Sequence, residues 1–182
     1  MDSLPDPEAA LQHLLMQLRE RARKDSLHRH LVGIYSGGAW VARRLHQQLG
    51  EDASAVPSLF DPVIGFLSSA YHRDDYGHNA QRRGLSAIVK GATELPFEVT
   101  GANILLIDDV LYTGRTLRAS INELFDYGRP AKVELACLID RGGRELPVHA
   151  DYVGASIALS PRQAVVLAQE ADGRFTLTRT GD

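Results

Sequence analysis

The sequence predicts an α/β protein built on a mainly parallel sheet, and three observations predict it. Short apolar runs without polar alternation, LVGIY at 31–35, NILLI at 103–107 and AKVELACLI at 131–139, read as strands covered on both faces. Stretches with helical periodicity separate them. The runs at 31–35 and 103–107 each end in a turn that opens a helix, which is the strand–turn–helix order of right-handed parallel crossovers.

The elements follow in order. Leu11, Leu14, Leu15, Leu18 and Ala22 recur at helical spacing, with Asp6 as N-cap and Pro7 at the first helical position. The basic end of that helix, Arg19, Arg21, Arg23 and Lys24, complements its dipole. The strand at 31–35 runs into Ser36-Gly37-Gly38, and 39–49 is an amphipathic helix stopped by Gly50. A strand is expected within 62–71. The pattern then dissolves into a long excursion from 72 to 101, with a small hairpin at 86–89. After the strand at 103–107 come a loop at 108–114, a helix at 115–127 closed by Gly128 and Pro130, and the strand at 131–139. A polar connection spans 140–150, and short strands are expected at 151–153, 164–167 and 175–178. No repeat, linker or low-complexity segment interrupts the chain, so 1–182 is read as one domain.

With 182 residues, 44% hydrophobic and 24% charged, the chain can bury a core without staples. A net charge of −3 argues against a protein whose main task is coating nucleic acid, although it leaves room for a local basic patch. The single cysteine, Cys137, lies in an apolar run and reads as a buried structural thiol. A disulfide framework within one chain is then excluded, which points to a reducing compartment, the cytoplasm. No apolar run reaches membrane-spanning length and the first residues carry no signal-peptide block, so no membrane partner is expected.

The chemistry concentrates at two strand ends, where open parallel sheets bind ligands. One is Asp108-Asp109 followed by Val110-Leu111-Tyr112-Thr113-Gly114-Arg115-Thr116. A helix N-terminus there offers unpaired N–H groups and a positive dipole end, Thr113 and Thr116 add hydroxyls, and Gly114 lets the backbone approach an anion. Two carboxylates beside such a cradle suit a ligand that also carries vicinal hydroxyls, a ribose phosphate. A Mg²⁺-holding aspartate pair and plain helix caps are the competing readings of the fragments taken singly. The other strand end is Ser36, Gly37 and Gly38, whose small residues allow a charged group close to the backbone or simply a tight turn.

Taken whole, the run Ile104, Leu105, Leu106, Ile107, Asp108, Asp109, Val110, Leu111, Tyr112, Thr113, Gly114, Arg115, Thr116 resembles the phosphoribosyl pyrophosphate (PRPP) motif of type I phosphoribosyltransferases. The downstream segment DRGGRELP at 140–147, with YGRP at 127–130, DYVG at 151–154 and RDD at 73–75, resembles the pyrimidine operon regulators of the PyrR family. The likeness runs from about 31 to 160. It implies a type I phosphoribosyltransferase fold with a flexible active-site loop at 72–101 and a small base-binding hood at 140–160. It also implies a glycosyltransferase acting in pyrimidine salvage, which converts uracil and PRPP to UMP and pyrophosphate with Mg²⁺. Some family members attenuate transcription by binding pyrimidine-operon mRNA. By the same resemblance Ser36, Gly37 and Gly38 bind pyrophosphate. Asp108, Asp109 and Arg73 are catalytic, with Arg73 meeting the charge of the leaving pyrophosphate. Asp140, Arg141 and the Tyr152–Val153 backbone face the base. Magnesium would arrive with the substrate, with no dedicated metal cage, and the cluster His72, Asp74, Asp75 and His78 reads as mixed loop charge. A homodimer or homotetramer is implied.

The sequence departs from the family at Gly37, where relatives often carry Arg or Lys, at Ser68, often Asp, at His72, often Tyr, and at Gly143, often His in members with RNA activity. The RNA reading otherwise rests on Arg19, Arg21, Arg23, Lys24, His28, Arg29, His30, Arg43, Arg44, Arg82, Arg83 and Arg144. Three alternatives remain open: an RNA-binding attenuator with little catalysis, a transferase for another base, and a catalytically silent ligand sensor.

Overall fold

A computed structural model describes residues 3–51, 56–68 and 92–181. Helix α1 (Pro7–Asp25) begins where Asp6 accepts a hydrogen bond from the Glu8 amide and Pro7 needs no N–H partner. It is followed by β1 (His30–Ile34), α2 (Gly37–Gly50), a 3₁₀ turn (Val56–Leu59) and β2 (Gly65–Leu67). Then come β3 (Asn103–Leu111), α3 (Arg115–Tyr127), β4 (Lys132–Asp140), β5 (Tyr152–Ser156), β6 (Ala164–Gln169) and β7 (Phe175–Thr180). Five strands form one sheet in the order β2-β1-β3-β4-β5, and every pairing in it is parallel. β6 and β7 form a separate antiparallel pair.

Each face of the sheet carries its own core. On one side α1 and α2 bury Leu11, Leu14, Leu15, Leu18, Val41 and Leu45 against Leu105, Ile107 and Leu138, and the β6–β7 pair adds Leu167 and Phe175. On the other, α3 contributes Leu117 and Leu124 over Ile104, Leu106, Leu135 and Cys137. A leucine sunk this way is worth about 1.5–3 kcal/mol, so the apolar strands settle in the middle of the sheet. Cys137 is buried, and that burial pushes its thiol far above the usual thiol range.

Three expectations need correction. The aspartate pair is not in a loop. β3 continues through it, with Asp108 opposite Cys137 and Leu111 opposite Asp140. Pairing with β4 outweighs the low strand propensity of aspartate. The segment 152–156 is the fifth strand of the main sheet rather than part of a hood. The strand sought within 62–71 is confined to Gly65–Leu67 among the described residues. The end of the expected excursion is well packed. Glu94 bridges Phe66, while Leu95, Phe97 and Val99 join the α3-side core. The hairpin at 86–89 and the cluster His72, Asp74, Asp75, His78 lie outside the described residues.

Candidate active site

The carboxyl ends of β1, β3 and β4 lie on the same side of the sheet as the amino ends of α2 and α3, and a cavity of about 440 Å³ opens between the end of β3 and the start of α3. Asp108, Tyr112, Thr113, Gly114, Thr116 and Glu145 contribute to its lining. The N-terminus of α3 borders this hollow and supplies unpaired N–H groups and a positive dipole end, an environment for an anion.

At α3 the N-cap is Gly114, at φ 90° and ψ 0°, and Arg115 donates its amide to Thr113 Oγ1 at 3.3 Å. The left-handed cap turns the chain sharply out of β3, so the amides after it face the cavity. Ile104, Leu105, Leu106 and Ile107, the front of the sequence motif, are essentially without solvent exposure. They are scaffold, and their side chains touch no ligand space.

The two aspartates divide the strand end between them, because successive side chains point to opposite faces. Asp108 is buried, lines the cavity and accepts the Asp109 amide at 3.0 Å. The carboxylate of Asp109 stands against the start of α2, where a Cβ on Gly37 would collide with its Oδ2. A Cβ on Gly38 would collide with the Ile107 carbonyl. These glycines are therefore set by the close approach of α2 to β3, so no basic side chain fits at Gly37. The Tyr35–Ser36 peptide before them is cis. Among the described residues no side chain donates to the Asp109 carboxylate. An unneutralised oxygen ligand beside an anion cradle fits a hard cation such as Mg²⁺.

The segment after β4 wraps over this loop. Arg144 donates to the Tyr112 carbonyl at 2.8 Å, to Asp140 Oδ2 at 2.6 Å and to the Val148 carbonyl at 3.1 Å. Glu145 and Leu146 donate their amides to the Thr113 carbonyl at 3.0 and 3.2 Å. Arg115 pairs with Glu145 at 2.8 Å. Sequence reasoning missed these ties. Their only sequence signal was the alternation of Arg144 and Glu145 with the glycines of 140–147, and the partners lie some thirty residues upstream.

The base candidates are not brought together. Asp140 ends β4, but its Oδ1 accepts the Gly142 amide at 2.8 Å and its Oδ2 holds Arg144. Arg141 is buried, with its guanidinium 3.6 Å over the Tyr112 ring and its Nε without a hydrogen bond. Tyr152 and Val153 must be withdrawn from the site. Tyr152 pairs with Ala136, four residues and about 13 Å of strand short of the end of β4. Its hydroxyl donates to Glu134 at 3.0 Å, and the Val153 carbonyl is taken by Gln17 of α1 at 2.8 Å. Arg73 lies outside the described residues.

Much of the basic set is neutralised. Arg29 is buried against Glu134 and Asp25, Arg21 pairs with Asp25, Lys24 with Glu20, Arg44 with Glu8 and Arg144 with Asp140. Arg43 lies 4.4 Å over the Phe66 ring. Arg82 and Arg83 fall outside the described residues. No helix among the described residues is long and apolar enough to cross a membrane.

Comparison with known proteins fits this geometry. Residues 2–169 match the family model of the phosphoribosyl transferase domain. A protein of Ralstonia nicotianae named Bifunctional protein PyrR is 50% identical over 96% of this chain and 94% of its own. One of the same name from Nitrosococcus oceani is 43% identical over 96% of each. Among solved structures, a hypoxanthine phosphoribosyltransferase of Trypanosoma cruzi superposes with a TM-score of 0.60 at 21% identity, covering 85% of this chain and 80% of that one. A hypoxanthine-guanine phosphoribosyltransferase of Bacillus anthracis gives 0.60 at 20% identity, over 90% and 86%. At such identity these two structures speak for the fold alone. With its fold, its strand-end cradle and its relatives in agreement, the chain belongs to the phosphoribosyltransferase family and, within it, to the PyrR proteins.

Proposed function

We propose that this protein is a uracil phosphoribosyltransferase, making UMP and pyrophosphate from uracil and PRPP. The observation that carries the reading is the cavity at the end of β3, lined by Asp108 and the amino end of α3, with the Asp109–Gly37 contact beside it, within a PyrR-family chain. The α3 cradle, 113–116, takes the sugar phosphate, and the Ser36–Gly38 amides take pyrophosphate. Asp108 and Asp109 hold the ribose hydroxyls from the strand end. As pyrophosphate departs, positive charge develops at the anomeric carbon, so the protein's work is positioning and stabilisation of the leaving charge. Asp109 of β3, whose carboxylate stands against the start of α2, would hold the magnesium ion that enters with the substrate, and that ion would supply charge neutralisation for the leaving group. Arg73, from the undescribed segment, would add a guanidinium to the same charge. Asp140 and the Arg141–Tyr112 stack stay in the reading as the wall on the base side.

A second activity, binding of pyrimidine-operon leader RNA, is supported by likeness to relatives whose name calls them bifunctional rather than by a basic face. It would draw on Arg23, Arg43, Arg82 and Arg83.

The test is UMP formation from uracil and PRPP, run beside orotate, hypoxanthine and guanine. Uracil should be the preferred base, and Asp109→Asn should reduce turnover severely. Equal rates with hypoxanthine would reject the base, and an unchanged Asp109→Asn rate would reject the diol clamp.

A further inference from the structure

The amino-terminal edge of the sheet, the edge away from the cavity, gathers three groups that the transferase reaction does not use. His28 and His30 flank Arg29 at the entry to β1, and Asp61 follows the 3₁₀ turn. One ring nitrogen of each histidine and one carboxylate oxygen of Asp61 lie within 4.8 Å of one another. These histidines entered the sequence reading as members of a dispersed basic set. The fold draws them together instead.

We propose that His28, His30 and Asp61 form a binding site for a divalent transition-metal ion, zinc by preference, separated from the active site by the length of β1.

The backbone beneath all three is fixed. Arg29 donates its amide to the Leu59 carbonyl and accepts the Asp61 amide, each at 2.9 Å, so Asp61 is locked in register with the histidine pair. Asn103 donates to the His28 carbonyl at 3.2 Å, and the His46 ring nitrogen lies 3.1 Å from the Asp61 carbonyl. The side chains are oriented too. Asp61 Oδ1 accepts the Val63 amide at 2.9 Å, which turns Oδ2 toward His30. The His30 ring stacks on Phe97 with centroids 4.1 Å apart, and His28 meets it edge-on at 5.4 Å. Outer partners that hold ligand side chains in place are what a metal site requires beyond the ligands themselves.

A buried polar atom supplies the independent sign of a ligand. His30 Nδ1 is shielded from solvent and makes no hydrogen bond, although Asp61 Oδ2 is 3.3 Å away. In a tetrahedral zinc site, bonds of about 2.0–2.1 Å put ligand atoms roughly 3.3 Å apart, so this pair already stands at the separation a shared metal imposes. An ion between them would occupy the orphaned nitrogen and neutralise the carboxylate. Two imidazoles and one carboxylate favour zinc or its first-row neighbours over Mg²⁺ or Ca²⁺, which prefer all-oxygen shells. Exposed His28 leaves a fourth position open to solvent. The bound ion would brace the entry of β1 against the chain leading into β2, the edge strand.

The experiment uses the full chain, stripped with a chelator and titrated calorimetrically with zinc chloride without PRPP or magnesium. Wild type should take up one zinc per chain with a dissociation constant of roughly micromolar or tighter, and should melt at a higher temperature when zinc is present. Cobalt in place of zinc should give the strong visible absorption of a four-coordinate site. His28→Ala and Asp61→Asn should each weaken binding roughly tenfold or more and lose the cobalt band, with UMP formation unchanged. No uptake by wild type at about 100 μM zinc, far above the expected constant, would overturn the site. So would zinc affinity and a cobalt band that survive His28→Ala, since the ion would then sit elsewhere.

Discussion

The guanidinium of Arg144 donates to the carbonyl of Tyr112 at 2.8 Å, joining two stretches 32 residues apart in the chain. Through that bond, and the Glu145 and Leu146 amides on the Thr113 carbonyl, the DRGGRELP segment braces the loop proposed to hold the sugar phosphate. Arg144→Met keeps most of the bulk but removes every donor, leaving the Asp140 carboxylate and the Tyr112 carbonyl short of partners. Losing hydrogen bonds from a charged, half-buried group costs about 1.5–3 kcal/mol. Urea unfolding should record that loss, and steady-state kinetics should show KM for PRPP rising more than kcat falls. Wild-type values on both counts would mean that the cradle holds its shape without Arg144.

Gly37 has no room for a side chain because the Asp109 carboxylate occupies the space. Gly37→Ala must therefore displace either the start of α2 or Asp109. A shift of about 1 Å in a positioned group costs on the order of a hundredfold in rate. We expect kcat/KM to fall by about that factor, with some loss of melting temperature as well, since Gly37 is itself buried. Comparison of PRPP affinity and turnover for the variant checks it, and full activity would separate Asp109 from the pyrophosphate turn.

Gly143 adopts φ +71°, and a Cβ there would stand 2.5 Å from the Tyr112 ring on which Arg141 stacks. Gly143→Ala should cost about 1–2 kcal/mol from the left-handed backbone alone, and more if the ring cannot yield. Thermal unfolding measures it. A stability equal to wild type would show that the ring swings aside freely, and would remove the steric requirement for glycine at this position.

Much of this architecture was legible locally. Asp6 before Pro7 and the helices over 39–49 and 115–127 are written in caps and periodicity that need no distant partner, although the second helix runs from Gly37 and includes Gly50 as its last residue, with Glu51 as its cap. The strand at 103–107 was legible because it is apolar throughout. Its continuation through Asp108–Leu111 was not, since only β4 supplies the pairing that makes a strand of two aspartates. Asp108, Asp109 and the 113–116 cradle were visible as chemistry but not as geometry, and their opposite facing appears only once α2 is in place. Tyr152 misled for a similar reason. A Tyr beside a family-like DYVG string looks like a base contact, but register sets it beside Ala136 with its hydroxyl on Glu134.

That same Glu134 anchors a buried charge network, which makes an acid-stability prediction. Its Oε2 accepts from Arg29 Nε at 2.7 Å, and its Oε1 accepts from Lys132 at 2.9 Å and from Tyr152 at 3.0 Å. Burial works to raise the Glu134 carboxyl, but these hydrogen bonds outweigh it and hold its pKa below the ordinary value. Asp25, hydrogen-bonded by the same Arg29, is brought down to about 2. Both groups titrate lower folded than unfolded. Their contribution is therefore complete above the unfolded carboxylate range of about 4 and is lost as pH falls through the folded values, toward about 2 for Asp25. Arg29→Met removes the buried cationic partner of Glu134, leaving it only Lys132 and the Tyr152 hydroxyl, and should cost up to about 3–5 kcal/mol near pH 7. Protonation of Glu134 and Asp25 relieves that penalty, so the gap between variant and wild type should narrow as pH drops from about 5 to about 3. Urea unfolding of the two proteins across that range reads the gap directly, and one that stays constant would assign the loss to packing around Arg29 rather than to its charge.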